Sequence, residues 1–265
     1  MIKRFIRPAL SILFPLLKGV LFDIPKYGRH KEKYEMKVRH DKFKKLFIKV
    51  NKALRVKYIV LGKENIPNEA SLFVPNHLSA SDPLILYPII DNLPTTYVGK
   101  IELEKIGVIK DAVNAIDGLF MDREDLRQSL KVMQKVEKSL KEDKNLNWVI
   151  FAEGKRVLDY SSLTRDMHHG TFRPAFKAKA PIVPVAIYGS QILLKDKPIY
   201  KTYPFIISFL KPIYPDEYEN MTTEEISKIV ESRIRKELSF NLRRIHHEEM
   251  LKYNKKKYRL NRIVD

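Results

Sequence analysis

Between residues 56 and 210 the chain repeats one pattern, and that pattern limits the folds open to it. A short, almost wholly apolar run is followed by a polar or amphipathic stretch. The runs are 56–61, 71–75, 95–98, 116–121, 147–152, 182–187 and 205–210. Strands this apolar need cover on both faces, as in a largely parallel sheet with helices on either side. Between them, Leu126, Leu130, Met133, Val136 and Leu140 form a helical stripe behind Asp125. Asp82 and Pro83 suit the N-cap and first position of another helix. Thr222 and Glu225 form a capping box before Ile226, Ile229, Val230 and Ile234. The expectation is an α/β fold: a mixed, largely parallel central sheet flanked by helices, spanning 56–240.

In open α/β sheets ligands bind beyond the strand ends. Three predicted strand ends carry polar clusters. The first holds Asn76, His77 and Asp82. The second holds Asp122 and Arg123, just after Gly118-Leu-Phe-Met121. The third holds Glu153, Gly154, Lys155 and Arg156. A strand stopping at His77 and a helix starting near Asp82 imply a tight turn. Such a turn can fold the carboxylate back under the ring, fixing its tautomer and raising the basicity of the other nitrogen. That makes a general base. The plainer alternative is a helix cap beside a turn histidine. Ser79 and Ser81 lie close by, but neither sits on a nucleophile elbow. Arg123, Lys155 and Arg156 suit a phosphate, or belong to the charged surface. No metal is expected, because His77 and Asp82 lack a third ligand and the adjacent His168 and His169 should point apart. No cofactor is expected either.

The chain is strongly basic, with a net charge of +18. That excess is concentrated at the ends: residues 1–63 hold eighteen Lys/Arg against four Asp/Glu, and residues 241–265 hold eight against three. An anionic partner is implied. There is no cysteine, which excludes disulfides and thiolate chemistry and suits a cytoplasmic setting. Residues 1–24 begin basic and turn apolar at Ala9, yet Pro8, Pro15, Lys18 and Asp23 interrupt them and no small-residue cleavage site follows. In residues 27–56, Phe43, Leu46, Phe47, Val50 and Leu54 share one helical face and lysines the other. Residues 1–55 therefore read as a basic two-helix motif docking on an anionic membrane surface, apolar side down. The alternative is two ordinary helices packed on the domain. Residues 241–265 read as a basic tail.

These residues resemble a known family, the HxxxxD glycerolipid acyltransferases. Its first motif, NHxxxxD, is matched by Asn76, His77 and Asp82; its second by Met121-Asp122-Arg123, with Gly118 in the place of its glycine, shifted by one. Its third, FPEGTR, stands here as Phe151-Ala-Glu-Gly-Lys-Arg156, departing at Ala152 and Lys155. A fourth resembles Ile182-Val-Pro-Val185, with Pro184 near the acyl or acceptor pocket, and Lys100 resembles a lysine after the third strand. The likeness covers about residues 56–210. It implies that His77 is the base, that Asp82 orients it, and that Arg123 and the corner of Glu153, Gly154, Lys155 and Arg156 bind an acceptor's phosphate. The implied reaction takes an acyl group from an acyl carrier protein or coenzyme A thioester to the free hydroxyl of lysophosphatidic acid, at the cytoplasmic face of the membrane. Rival readings are a family member using glycerol 3-phosphate or another lysophospholipid, a hydrolase, and a basic nucleic-acid-binding protein. The last is not expected, since no groove-reading motif is visible.

Overall fold

The computed structural model describes residues 17–157, 164–193 and 200–261. Helices α1 (Ile24–Arg29) and α2 (Met36–Ala53) precede strand β1 (Val56–Leu61). Then follow β2 (Leu72–Pro75), α3 (Asp82–Leu86), β3 (Thr95–Lys100), α4 (Gly107–Ala115), β4 (Leu119–Met121), α5 (Leu126–Lys138) and β5 (Asn147–Val149). The chain ends with α6 (Arg173–Ala178), β6 (Ile182–Tyr188), β7 (Tyr203–Phe209), α7 (Pro215–Tyr218), α8 (Thr223–Lys236) and α9 (Arg243–Asn261).

All seven strands form one sheet in the order β1-β7-β6-β2-β5-β3-β4. Every pairing is parallel except that of β6 with β7. The mixed, largely parallel α/β sheet expected from the apolar runs is therefore present. Side chains alternate across it, as strand geometry requires. Leu72, Val74, Trp148, Ile182 and Ala186 join one core, covered by Val136 of α5, Ala175 of α6 and Ile226, Val230 and Ile234 of α8. Phe73, Val149, Val183, Val185 and Phe205 join the other, covered by Ile24 and Tyr27 of α1, Phe43 of α2, Ile85 and Leu86 of α3 and Ala115 of α4.

That second core corrects the reading of α2. Its apolar face was expected to meet lipid; instead it is an interior face. Phe43 is only 1 % exposed, and Leu46 and Phe47 pack on the same cluster. Polar contacts lock the segment in place. The buried Arg39 donates to Ala115 O at 2.5 Å and pairs with Asp117 at 2.7 Å, while Arg29 pairs with Asp111 at 2.8 Å. Gly28 is needed where α1 crosses α4, since a Cβ there would stand 2.1 Å from Asp111 O. An amphipathic stripe says that something covers it, not what. Exposed on the helical turn before α1 lie Leu17, Leu21 and Phe22, and on α2 Val38 and Ile48. Residues 1–16 of the proposed docking motif, with Leu10, Leu13, Phe14 and Leu16, lie outside the described residues. Among the described residues no helix is long and apolar enough to cross a membrane.

The basic tail is also built in through its first turns. Leu242, His246 and Met250 are buried, and Asn254 donates to Thr202 O at 2.7 Å. Their spacing of four places them on one helical face. Other boundaries moved by a few residues. The capping box of Thr222 and Glu225 is present as expected, but Ser81, not Asp82, precedes the first helical residue of α3. β4 begins only at Leu119, because Gly118 N still bonds back to Val113 O at 2.8 Å.

Candidate active site

Strands β2, β3, β4, β5 and β6 run the same way, so their C-terminal ends share one edge of the sheet. That edge gathers His77 after β2, Lys100 at the end of β3, Arg123 after β4 and Glu153 to Arg156 after β5. β2 stops because Asn76, wholly buried, turns its side chain onto the neighbouring strand. Its Nδ2 donates to Ile187 O at 3.1 Å, and its Oδ1 accepts from Ile187 N at 2.7 Å. Asn76 therefore fastens β2 to β6 and positions the histidine that follows, instead of lining a pocket.

The His77 Nδ1 stands 2.8 Å from Asp82 Oδ2. The same oxygen accepts the backbone N–H groups of Leu78 and Ser79, both at 2.8 Å. Two backbone donors and full burial of its residue hold that carboxylate in place as an acceptor. An oxygen that accepts two backbone N–H groups is an acceptor for the ring as well, so Nδ1 carries a proton toward it and Nε2 is the nitrogen left for a substrate. The ring stacks at a tilt on Phe151, centroids 4.3 Å apart, and its side chain remains 18 % exposed. Val157 N donates to His77 O at 2.8 Å, tying the β5 loop to the β2 loop. Ser79 and Ser81 bond to each other, Oγ to Oγ at 2.9 Å, and both are buried.

The β5 loop turns at Gly154, whose φ of +72° is in the left-handed region. Glu153 points inward. It is 3 % exposed, Thr164 Oγ1 donates to its Oε1 at 2.8 Å, and burial pushes its carboxyl up to about 8. It holds the corner from inside, while Lys155 and Arg156 stand exposed. A Cβ at Gly154 would meet Arg123 Nη1 at 3.4 Å, so the second and third polar clusters adjoin. Asp122 shapes the turn before Arg123: its carboxylate accepts Glu124 N at 2.9 Å, and Gln128 Oε1 accepts Asp122 N at 2.8 Å. Lys100, opposite Met121 in the ladder, pairs with Glu102 at 2.5 Å.

Two other residues singled out in the sequence sit away from this edge. Gly118 lies at the start of β4, where a Cβ would meet Val113 Cγ1 at 2.7 Å and Tyr97 O at 3.0 Å; its role there is packing. Pro184 is buried mid-strand opposite Val74. One residue at the edge was missed as a site residue. The His168 Nε2 would lie 2.8 Å from the same Gly154 Cβ. His169 turns elsewhere, its Nδ1 3.3 Å from Thr223 Oγ1.

A histidine–carboxylate pair beside a cationic corner on one sheet edge can deprotonate a hydroxyl on a molecule that carries an anion. An acyltransferase family model matches residues 57–188, which span all three polar clusters and His168. The protein named Probable 1-acyl-sn-glycerol-3-phosphate acyltransferase of Mycoplasma genitalium is 30 % identical over 208 residues, covering 73 % of this chain and 76 % of that one. The chain belongs to the acyltransferase family. The Mycoplasma pneumoniae protein of the same name is 29 % identical over 236 residues, covering 83 % of this acyltransferase and 86 % of the relative. The fold of this chain is shared with the crystal structure of the 1-acyl-sn-glycerophosphate (LPA) acyltransferase PlsC from Thermotoga maritima. The TM-score is 0.67 at 22 % identity, over 90 % of this chain and 98 % of the other.

Proposed function

We propose that this acyltransferase moves an acyl group from a thioester to the free hydroxyl of 1-acyl-sn-glycerol 3-phosphate, giving phosphatidic acid. The observation that carries the reading is the His77–Asp82 pair on the same sheet edge as the Arg123–Gly154 corner. The names of the relatives support the same acceptor. His77 Nε2 takes the hydroxyl proton while Asp82 Oδ2 holds the opposite nitrogen's proton and steadies the imidazolium that forms. The oxygen attacks the thioester carbonyl carbon. The carbon–sulfur bond breaks, and the thiolate leaves, taking the proton that His77 holds. Thiols have a pKa of about 8.5, so thiolate is a good leaving group. The transfer is direct, without an acyl-enzyme: the hydroxyls closest to His77 in sequence, Ser79 and Ser81, are buried and bonded to each other. Arg123, Lys155 and Arg156 hold the acceptor's phosphate, and Glu153 and Gly154 set the corner from which they reach it.

The acceptor carries a fatty chain, so we place the enzyme on the cytoplasmic face of an anionic membrane, docked through its basic amino-terminal face. The exposed Leu17, Leu21 and Phe22 would enter the acyl boundary and nearby lysines would meet headgroups. The test is purified enzyme with lysophosphatidic acid and glycerol 3-phosphate in parallel, each with acyl carrier protein and coenzyme A thioesters. Phosphatidic acid from lysophosphatidic acid is expected with at least one donor. Turnover of glycerol 3-phosphate alone would replace the acceptor.

A further inference from the structure

We infer that His168 is a further ligand of the acceptor's phosphate, and that it makes acceptor affinity depend on pH. The inference rests on the phosphate reading of Arg123 and extends it. Two donors from separate segments converge on one backbone point: His168 Nε2 at 2.8 Å and Arg123 Nη1 at 3.4 Å from where a Cβ of Gly154 would stand. Glycine is what leaves room for both, and its φ of +72° suits the absence of a side chain. The backbone of His168 is fixed on each side. Its N–H donates to Ala152 O at 2.9 Å, and its carbonyl accepts from Thr171 N at 3.0 Å. The residue is exposed, so the ring is open to a ligand.

The charges around it favour an anion. Arg123 comes from the turn after β4, and Lys155 and Arg156 come from the β5 loop. Arg165, Asp166 and His169 flank it on its own segment, and Glu224 of α8 stands near His169. Glu153 lies next to Gly154, but burial pushes its carboxyl up to about 8, so it adds little negative charge there at neutral pH. An imidazole ordinarily changes charge between pH 5 and 8. As an imidazolium it gives the phosphate a charge-assisted hydrogen bond; as a neutral ring it gives a weaker one. A guanidinium at the same corner stays charged throughout. Acceptor affinity should thus strengthen as pH falls, with the change set by His168.

The test compares KM for lysophosphatidic acid in mixed micelles across pH 6 to 8.5 for the wild type, His168→Gln, His168→Lys and Arg123→Ala. Taking each variant's KM as a ratio to the wild type at the same pH removes effects that the two proteins share. The expected ratio of His168→Gln to wild type is on the order of tenfold at pH 6, typical of one charge-assisted hydrogen bond. It should shrink toward unity at pH 8.5. His168→Lys should restore the low-pH KM and stay tight at high pH, which also separates binding from a fold defect. A ratio near unity, or one flat with pH, while Arg123→Ala still raises acceptor KM, overturns the role of His168 and leaves the phosphate reading standing. A rise in thioester KM in place of acceptor KM also overturns it. If Arg123→Ala leaves acceptor KM unchanged, the phosphate reading itself falls, and His168 with it.

Discussion

At His77 the contact that matters is with one atom, Asp82 Oδ2, which also takes the N–H groups of Leu78 and Ser79. His77→Ala is therefore expected to lower kcat by roughly 10²–10⁴-fold while leaving the thermal midpoint unchanged. Turnover at the wild-type level would remove His77 as the base. Asp82→Asn should lose turnover and also lower the midpoint, because the turn loses a charged acceptor. Glu153 makes a prediction of another kind. Its folded pKa, about 8, lies above its ordinary value of 4.5. Between those values the folded protein keeps a proton that the unfolded chain has released. Its contribution to stability is thus complete below about pH 4.5 and is lost as pH rises to about 8, by up to about 1.4 kcal/mol per unit. Glu153→Gln has no such proton to lose. Its stability relative to the wild type, from denaturant unfolding at pH 5, 6.5 and 8, should rise with pH. A constant difference would mean that Glu153 is ionised in the fold.

At the scale of elements, the amino-terminal helices show what an amphipathic pattern leaves open. Phe43 and Phe22 are both aromatic residues in a basic, apolar segment, yet one is 1 % and the other 66 % exposed. Phe43→Ala should lower unfolding free energy by about 3–5 kcal/mol, the usual effect of emptying a core site. Phe22→Ala should change it by no more than about 0.5 kcal/mol. Equal, small effects would place α2 outside the core. The same lesson holds for α9. Its buried face mixes Met250 with His246 and Asn254, so no apolar stripe marks it in the sequence. Its hydrogen bonds to the loop before β7 place it instead.

For the whole molecule, the +18 charge and the exposed Leu17, Leu21 and Phe22 lead to a binding prediction. Co-sedimentation with anionic vesicles should be strong at low salt and weaken at high salt, at about 1 kcal/mol per engaged cation. A residual, salt-resistant part should vanish in Leu21→Asp/Phe22→Asp. Equal binding to neutral vesicles, or binding untouched by salt, would overturn docking through a basic face. The variant's turnover with a short-chain, water-soluble acceptor should match the wild type, separating docking from chemistry.

Sequence alone determined the strands and the turn that joins His77 to Asp82. Seven apolar runs were enough for a sheet covered on both faces, since strands that apolar cannot face water. His77 and Asp82 are five residues apart, so their contact is local and shows in a short motif. The tertiary structure alone decided the rest. Arg123, Gly154 and His168 come from three segments, and only the parallel order of β2, β5, β3 and β4 brings the first two to one edge. The bond from His168 N to Ala152 O carries the third alongside. Gly118 and Pro184 share the motifs but not the edge, because position along a strand, not membership of a motif, sets distance from the strand end. Nor could periodicity say that α2 faces protein, since water, lipid and a sheet exclude or admit an apolar face by the same physics.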